Sequence, residues 1–244
     1  MKKTLLTICL VWMCFSLSAQ KIIDLSGKWS FSIDRQDNGE KEKWFSHTLN
    51  DCINLPGSMP EKLKGDEVTA KTQWTGSLYD SSYYYNPYME KYRKEGNIKF
   101  PFFLTPDKHY VGAAWYQKEV NIPADWKGER ILLFLERPHI ETTVWVNGQK
   151  TGMQNSLCVP HQYDITRYVR PGKCTITIRV DNRIKEINVG PDSHSITDQT
   201  QGNWNGIVGR ICLQTTPKTY FDDIQIYPEP EQKLARVKVV IKGT

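Results

Sequence analysis

Apolar residues recur at every second position in many short stretches, the period of a strand that buries one face. Trp29, Phe31 and Ile33 alternate with Ser30 and Ser32, and Tyr116 to Ile122 repeats the pattern before Pro123 closes it. Ile131 to Leu135 is apolar throughout, as expected of a strand covered on both faces. Val144-Trp145-Val146 runs into Asn147-Gly148, a dipeptide that tolerates the two positive φ angles of a type I′ hairpin turn. Cys174, Ile176, Ile178 and Val180 alternate with Thr175, Thr177 and Arg179, while Ile211 with Leu213 and Ile224 with Ile226 supply further strands. The pattern predicts an all-β fold, a two-sheet antiparallel β-sandwich of jelly-roll type. Trp29 and Trp145 sit on its strands and are expected in the core.

Helical signal is confined to Tyr88–Glu95, inside a segment of about 71–110 that lacks sandwich alternation and reads as an insertion. Loops of that length are commonly functional or disordered. At the other end, Pro228-Glu229-Pro230-Glu231 reads as a linker, and Val237, Val239 and Ile241 alternate as a new strand would. A strand without a partner leaves its backbone groups unpaired, so the polypeptide is expected to continue beyond Thr244.

Lys2 and Lys3 followed by the apolar run from Leu5 to Leu17 predict a signal peptide over residues 1–20, with cleavage near Ala19 or Gln20. The run is shorter than the roughly 20 apolar residues that cross a bilayer, so a secreted, periplasmic or extracellular product without a membrane anchor is expected. Of the 32 Lys and Arg, 30 remain after Lys2 and Lys3 are removed, against 27 Asp and Glu. The resulting +3, spread along the chain, argues against nucleic acid, which calls for a concentrated basic face. Cys52, Cys158, Cys174 and Cys212 form no C-x-x-C pair, so no metal site and no cofactor is expected. Export permits a disulfide, but Cys174 shares the alternation of Ile176 and Ile178, which favours free core thiols.

Six stretches, in order, resemble the sugar-binding domain of family-2 glycoside hydrolases, the β-galactosidases and β-glucuronidases. They are GKWSFSID (Gly27 to Asp34), LPGS (Leu55 to Ser58), YVGAAWYQKEVNIPADWKGERILL (Tyr110 to Leu133), TTVWVNG (Thr142 to Gly148), YDITRYVRPG (Tyr163 to Gly172) and NGIVGRICL (Asn205 to Leu213). The resemblance implies a sugar-binding jelly roll over 21–230. Residues 231–244 would then open an immunoglobulin-like domain, itself followed by a catalytic (β/α)8 barrel absent from this chain. The partners implied are a carbohydrate, oligo- or polysaccharide, and the chain's own C-terminal domains.

Most of these motifs have structural explanations: Asp164 with Thr166 suits a turn or short helix start. The stretch from Ser193 to Gly209 differs, because Asp198, Gln199, Asn203, Trp204 and Asn205 concentrate polar groups between two strands. Carboxylates and amides can each bond neighbouring hydroxyls, and an indole can cover a pyranose face. By resemblance, an Asp eight residues before the Asn-Gly-Ile glycine reaches the sugar, which makes Asp198 the first substrate-binding candidate, with Gln199, Asn203 and Trp204 behind it. The competing reading has Asp198 capping a loop or pairing with Arg210. A second sugar-reaching Asn of some β-galactosidases is replaced here by Val111, with His109 and Tyr110 as polar neighbours. The insertion's Trp74, Tyr79, Tyr83, Tyr84, Tyr85, Tyr88 and Tyr92 suit either carbohydrate contact or sealing onto the sandwich, and sealing is the favoured expectation.

Retaining glycoside hydrolysis needs two carboxyl groups about 5–5.5 Å apart, and the resemblance places both on barrel strands, so no catalytic residue is expected in this fragment. The expected function is the N-terminal carbohydrate-binding domain of a secreted family-2 hydrolase acting on β-linked glycosides. A stand-alone lectin-like module is the alternative, and an adhesion domain without a ligand is a third.

Overall fold

The computed structural model describes residues 20–76, 85–99, 105–185, 193, 197–198 and 202–243. Nearly all of the expected signal peptide, together with Gln199, Tyr79, Tyr83 and Tyr84, lies outside the described residues. The strands run as β1 (Ile22–Asp24), β2 (Gly27–Asp34), β3 (Asp51–Leu55), β4 (Gly57–Ser58), β5 (Asp66–Glu67), β6 (Lys108–His109), β7 (Ala113–Ile122) and β8 (Arg130–Pro138). They continue as β9 (Glu141–Val146), β10 (Gln149–Asn155), β11 (His161–Asp164), β12 (Gly172–Asp181), β13 (Gly206–Thr216), β14 (Tyr220–Glu229) and β15 (Leu234–Lys242).

One antiparallel sheet has the order β10-β9-β12-β7-β2-β3, and the other has β1-β13-β8-β11 with β4 added to β13. Their inner faces share one core. Tyr116 stands opposite Ile178, and Leu133 and Leu135 stand opposite Leu213 and Ile211; all six are buried in the same cluster. Period-two alternation delivers these residues to one side because successive side chains point to opposite faces. In strand β8, Ile131 to Leu135 are all buried, so both faces of the strand are covered, which accounts for its unbroken apolar run. Asn147 and Gly148 take φ of 51° and 77° between β9 and β10, the expected primed turn.

The two expected core tryptophans part company. Trp29 lies in the main cluster, whereas Trp145 lies with Trp115 and Leu49 in a second, smaller one. Trp145 is one position out of phase with the core residues Val144 and Val146, so it points to the outer face of its sheet. There a 3-10 turn, Trp44–Ser46, folds over it, and Phe45 stacks on Trp145 at 5.2 Å and 7°.

Three further expectations change. Tyr88–Glu95 forms no α-helix; a 3-10 helix covers Pro87–Tyr92, started by Asn86, whose side chain accepts from the Tyr88 N–H. It buries none of its residues, and without an apolar stripe to pack, a short helix has little to extend it. The expected linker Pro228–Glu231 is the end of β14 and the beginning of a 3-10 turn, Pro230–Gln232, and β15 pairs with β14 from Leu234 to Lys242. Pro228 is tolerated because β14 lies in a two-stranded sheet and has an unpaired edge. All four cysteines are free, but only Cys174 and Cys212 are core thiols; Cys52 and Cys158 are exposed. Burial pushes the Cys174 thiol up to about 11. Among the described residues, no helix is long and apolar enough to cross a membrane.

Candidate functional site

The end of β12 and the start of β7 meet where Asp181 pairs with Ala113, and the end of β8 meets the start of β13 where Pro138 pairs with Ile207. Four chain segments therefore leave the sandwich at one end, and three asparagines tie them together. Asn182 Nδ2 donates to Tyr110 O at 2.8 Å and to Asn203 Oδ1 at 2.9 Å, while its Oδ1 accepts from the Gly112 N–H at 2.8 Å. Asn205 Nδ2 donates to Gly112 O and Val180 O at 2.9 and 3.0 Å, and its Oδ1 accepts from the Tyr116 hydroxyl at 2.7 Å. Burial holds that phenol well above its ordinary value, so it stays a donor. Gly206 completes the joint: at its φ of +145°, a Cβ would sit 2.5 Å from Gly57 O.

Asp198 is seated in this frame and is only 3% exposed. Its Oδ1 accepts from the Asn203 N–H at 2.5 Å and its Oδ2 from the Thr75 N–H at 2.6 Å, while its own N–H donates to Thr75 O at 3.2 Å. Asn203 Nδ2 reaches Thr75 Oγ1 at 2.9 Å and Asn182 O at 3.0 Å. His109 Nε2 lies 3.4 Å from Asp198 Oδ2, with the Trp74 ring packed on the imidazole at 4.7 Å. His139 stacks on Trp204 at 4.5 Å and 24°. Burial lowers the His139 imidazole to about 4, against the opposing pull of Asn203 and of the Asp198 charge, so at neutral pH the ring is uncharged.

Of the predicted site residues, Asp198, Asn203 and Trp204 gather here, and Gln199 lies outside the described residues. The carboxylate of Asp198 does cap its loop, as the competing reading expected, but Arg210 is not its partner: that guanidinium lies over Phe134 at 4.6 Å. Asn203 spends its side chain bracing Thr75 and Asn182, and Val111 is 39% exposed. Sequence reasoning missed Asn182, Thr75 and His139. Asn182 directly follows the alternation of β12, where a polar residue reads as an ordinary strand end. In the insertion, Trp74 seals against His109, whereas Tyr85 and Tyr88 are 80% and 84% exposed.

A charged lattice flanks this end. Arg179 reaches Asp37, Glu141 and Asp181; Arg183 reaches Asp37 and Asp181; Lys185 reaches Glu141 and Asp181. Burial alone would raise the Asp181 carboxyl, but hydrogen bonds from Arg183 and Lys185 outweigh it and hold the group well below the carboxylate range. A cleft of about 500 Å³ opens beside the cluster, lined by His109, Tyr110, Asp34, Arg35, Asp66 and Arg183 among others. A larger one of about 770 Å³ lies at the opposite end, by Trp126, Arg130 and Tyr220; it is remote from the polar cluster. Among the described residues, no group of three or more His, Cys, Asp or Glu is placed to hold a metal.

The sequence matches the family described as glycosyl hydrolases family 2, sugar binding domain, over residues 22–217. It is 25% identical over 251 residues to a β-glucuronidase of Homo sapiens, covering 91% of this chain and 33% of that protein. To a β-glucuronidase of Paenibacillus borealis it is 27% identical over 222 residues, covering 85% and 31%. Among solved structures, a β-glucuronidase of an uncultured Clostridium sp. shares the fold at TM-score 0.61 and 21% identity, covering 93% of this chain and 34% of that one. A Ruminococcus gnavus β-glucuronidase does so at 0.60 and 17%, with 93% and 34% covered. The chain thus spans about a third of the length of the relatives it matches.

Proposed function

Because this chain belongs to family 2 of the glycosyl hydrolases, as its sugar binding domain, we propose that it is the N-terminal carbohydrate-binding part of a secreted hydrolase of β-linked glycosides. Glucuronides are the first class to test, since the similar proteins carry that name. On this reading the product is periplasmic or extracellular. Bond cleavage belongs to a pair of carboxyl groups about 5–5.5 Å apart at the mouth of a (β/α)8 barrel elsewhere in the polypeptide. The β14–β15 hairpin opens the immunoglobulin-like sandwich between them.

The observation that carries the reading is the seat of Asp198. A carboxylate offers about four lone-pair sites, and two backbone N–H groups hold Asp198, one on each oxygen. The carboxylate is fixed in orientation and retains lone pairs beyond those two bonds, which at 3% exposure a sugar hydroxyl reaches only where the surrounding frame gives way. Trp204, half-buried against His139, adds an apolar side chain to the same cluster, and Gln199 is the residue next to Asp198 in sequence.

The test is Asp198→Ala in the full-length protein with 4-nitrophenyl β-D-glucuronide. Losing a charged hydrogen bond to substrate is expected to lower kcat/KM by about 10²-fold, and an unchanged value removes Asp198 from the subsite. The exposed Tyr85 and Tyr88 favour a second reading, a module that holds polysaccharide by itself. Calorimetric binding of a polysaccharide by this chain alone, abolished in Tyr85→Ala/Tyr88→Ala, would support it.

A further inference from the structure

We propose that His109 is a positioning residue for Asp198: its Nε2 fixes carboxylate oxygen Oδ2 so that the free edge of the group is presented to a sugar hydroxyl. This rests on the reading of Asp198 as a sugar contact.

Buried polar atoms almost always have partners, and exceptions call for an explanation. Among the described residues, two side-chain atoms are buried without a hydrogen bond, Nε2 of His109 and Nε2 of His139. Both imidazoles stand near Asp198, but His109 is the one whose nitrogen faces a carboxylate oxygen, at 3.4 Å. At that separation the two atoms are in polar contact without the alignment of a hydrogen bond, so Nε2 acts on Oδ2 as a neighbouring polar group rather than as a bonded donor. The oxygen it faces is the one that also accepts from the Thr75 N–H.

The surroundings leave the ring little freedom. His109 is 6% exposed, its backbone pairs with Asp66 in the β5–β6 ladder, and Trp74 packs on its ring. The following carbonyl, Tyr110 O, is tied to Asn182. Trp74 and Thr75 stand at the beginning of the insertion and His109 at its end, so both ends of the insertion close on one carboxylate. The insertion is thereby part of the frame of the proposed subsite, whatever its middle does.

The experiment uses the full-length protein, 4-nitrophenyl β-D-glucuronide, and variants that separate the nitrogen from the ring. His109→Phe keeps a ring against Trp74 without a donor, and His109→Gln keeps a side-chain N–H. His109→Asn, shorter than Gln by one methylene, keeps an N–H but cannot carry it to the Nε2 position, and is the second variant should Phe fail to fold. The expected results are a loss of about 10-fold in kcat/KM for the Phe and Asn variants and less than about 3-fold for Gln. Combined with Asp198→Asn, His109→Phe is expected to add no further loss, as for residues acting as one unit. Equal losses in the Phe and Gln variants, or additive losses in the double variant, would overturn the role of His109 while leaving Asp198 as a sugar contact. No loss in Asp198→Asn would remove the sugar contact itself and His109's role with it. Amide exchange gives a readout independent of substrate: Thr75 and Asn203 are expected to exchange about 5-fold faster in His109→Phe, with β12 unmoved and the Gln variant near wild type. Unchanged exchange at both amides would sink the proposal whichever glycoside is cleaved.

Discussion

At the scale of single residues, the polar end of the sandwich shows how little a side chain's type says about its work. Asp198, Asn203 and Asn205 are near neighbours in sequence, yet Asn203 and Asn205 brace backbone groups while the carboxylate of Asp198 is oriented by two N–H donors. His139 carries a prediction of its own. Its imidazole is lowered from 6.5 to about 4, so below about pH 6.5 the unfolded chain takes up a proton that the folded state refuses. The associated stability is complete above that pH and is lost as the pH falls toward 4. Between pH 7 and pH 5 the loss is about 2 kcal/mol, and the lowered His161 acts in the same direction. Urea midpoints at the two pH values are expected to differ less in His139→Leu than in the wild type; an unaltered difference would assign the acid sensitivity to other groups.

At the scale of elements, β14 and β15 stand apart from the other long strands. Ile224 lies opposite Val239 and Ile226 opposite Val237, so these four share a face, and each is between 42% and 63% exposed. The long strands β7 and β12 place the same residue types in the core at almost no exposure. A two-stranded hairpin is marginal in water, which predicts weak protection for this one in the chain as it stands. Amides of β14 and β15 are expected to exchange at least about 100-fold faster than those of β7 and β12, measured by hydrogen exchange. Equal protection would show that the hairpin is stable without the partner sheet we propose for it.

At the scale of the whole molecule, the ion lattice around Asp181 links β12 and β9 to the turn that carries Asp37. The Arg179 side chain is 9% exposed and Asp181 is 0% exposed, so removal of the guanidinium takes a cation out of a poorly hydrated lattice, leaving Arg183 on Asp37 and Asp181 and Lys185 on Glu141 and Asp181. Breaking an isolated buried pair costs about 3–5 kcal/mol, and the remaining cations bring the loss toward or below the lower end. Arg179→Met is therefore expected to lower the melting temperature by many degrees, read by calorimetry at pH 7, whereas the exposed Lys173→Met, paired with Glu119 at the surface, is expected to change it little. Similar small changes in both would mean that water reaches the Arg179 lattice.

The sequence by itself determined the sheets, because alternation at Tyr116 to Ile122 and Cys174 to Val180 encodes a buried face independently of what covers it, and six ordered motifs carried the family. It also marked the loop of Asp198 and Trp204, since polar density between two strands is visible along one dimension. It misjudged Pro228–Glu231, because a proline-rich turn and a linker have the same composition and only strand pairing tells them apart. Which residues hold Asp198 was decided by tertiary structure alone. Asn203 is local to Asp198, but Thr75 and His109 come from distant parts of the chain, and contacts across such separations leave no periodic trace. The outer-face burial of Trp145 has the same origin: the segment that covers it folds back from Trp44–Ser46, and local pattern cannot say which face of a sheet a remote turn will cover.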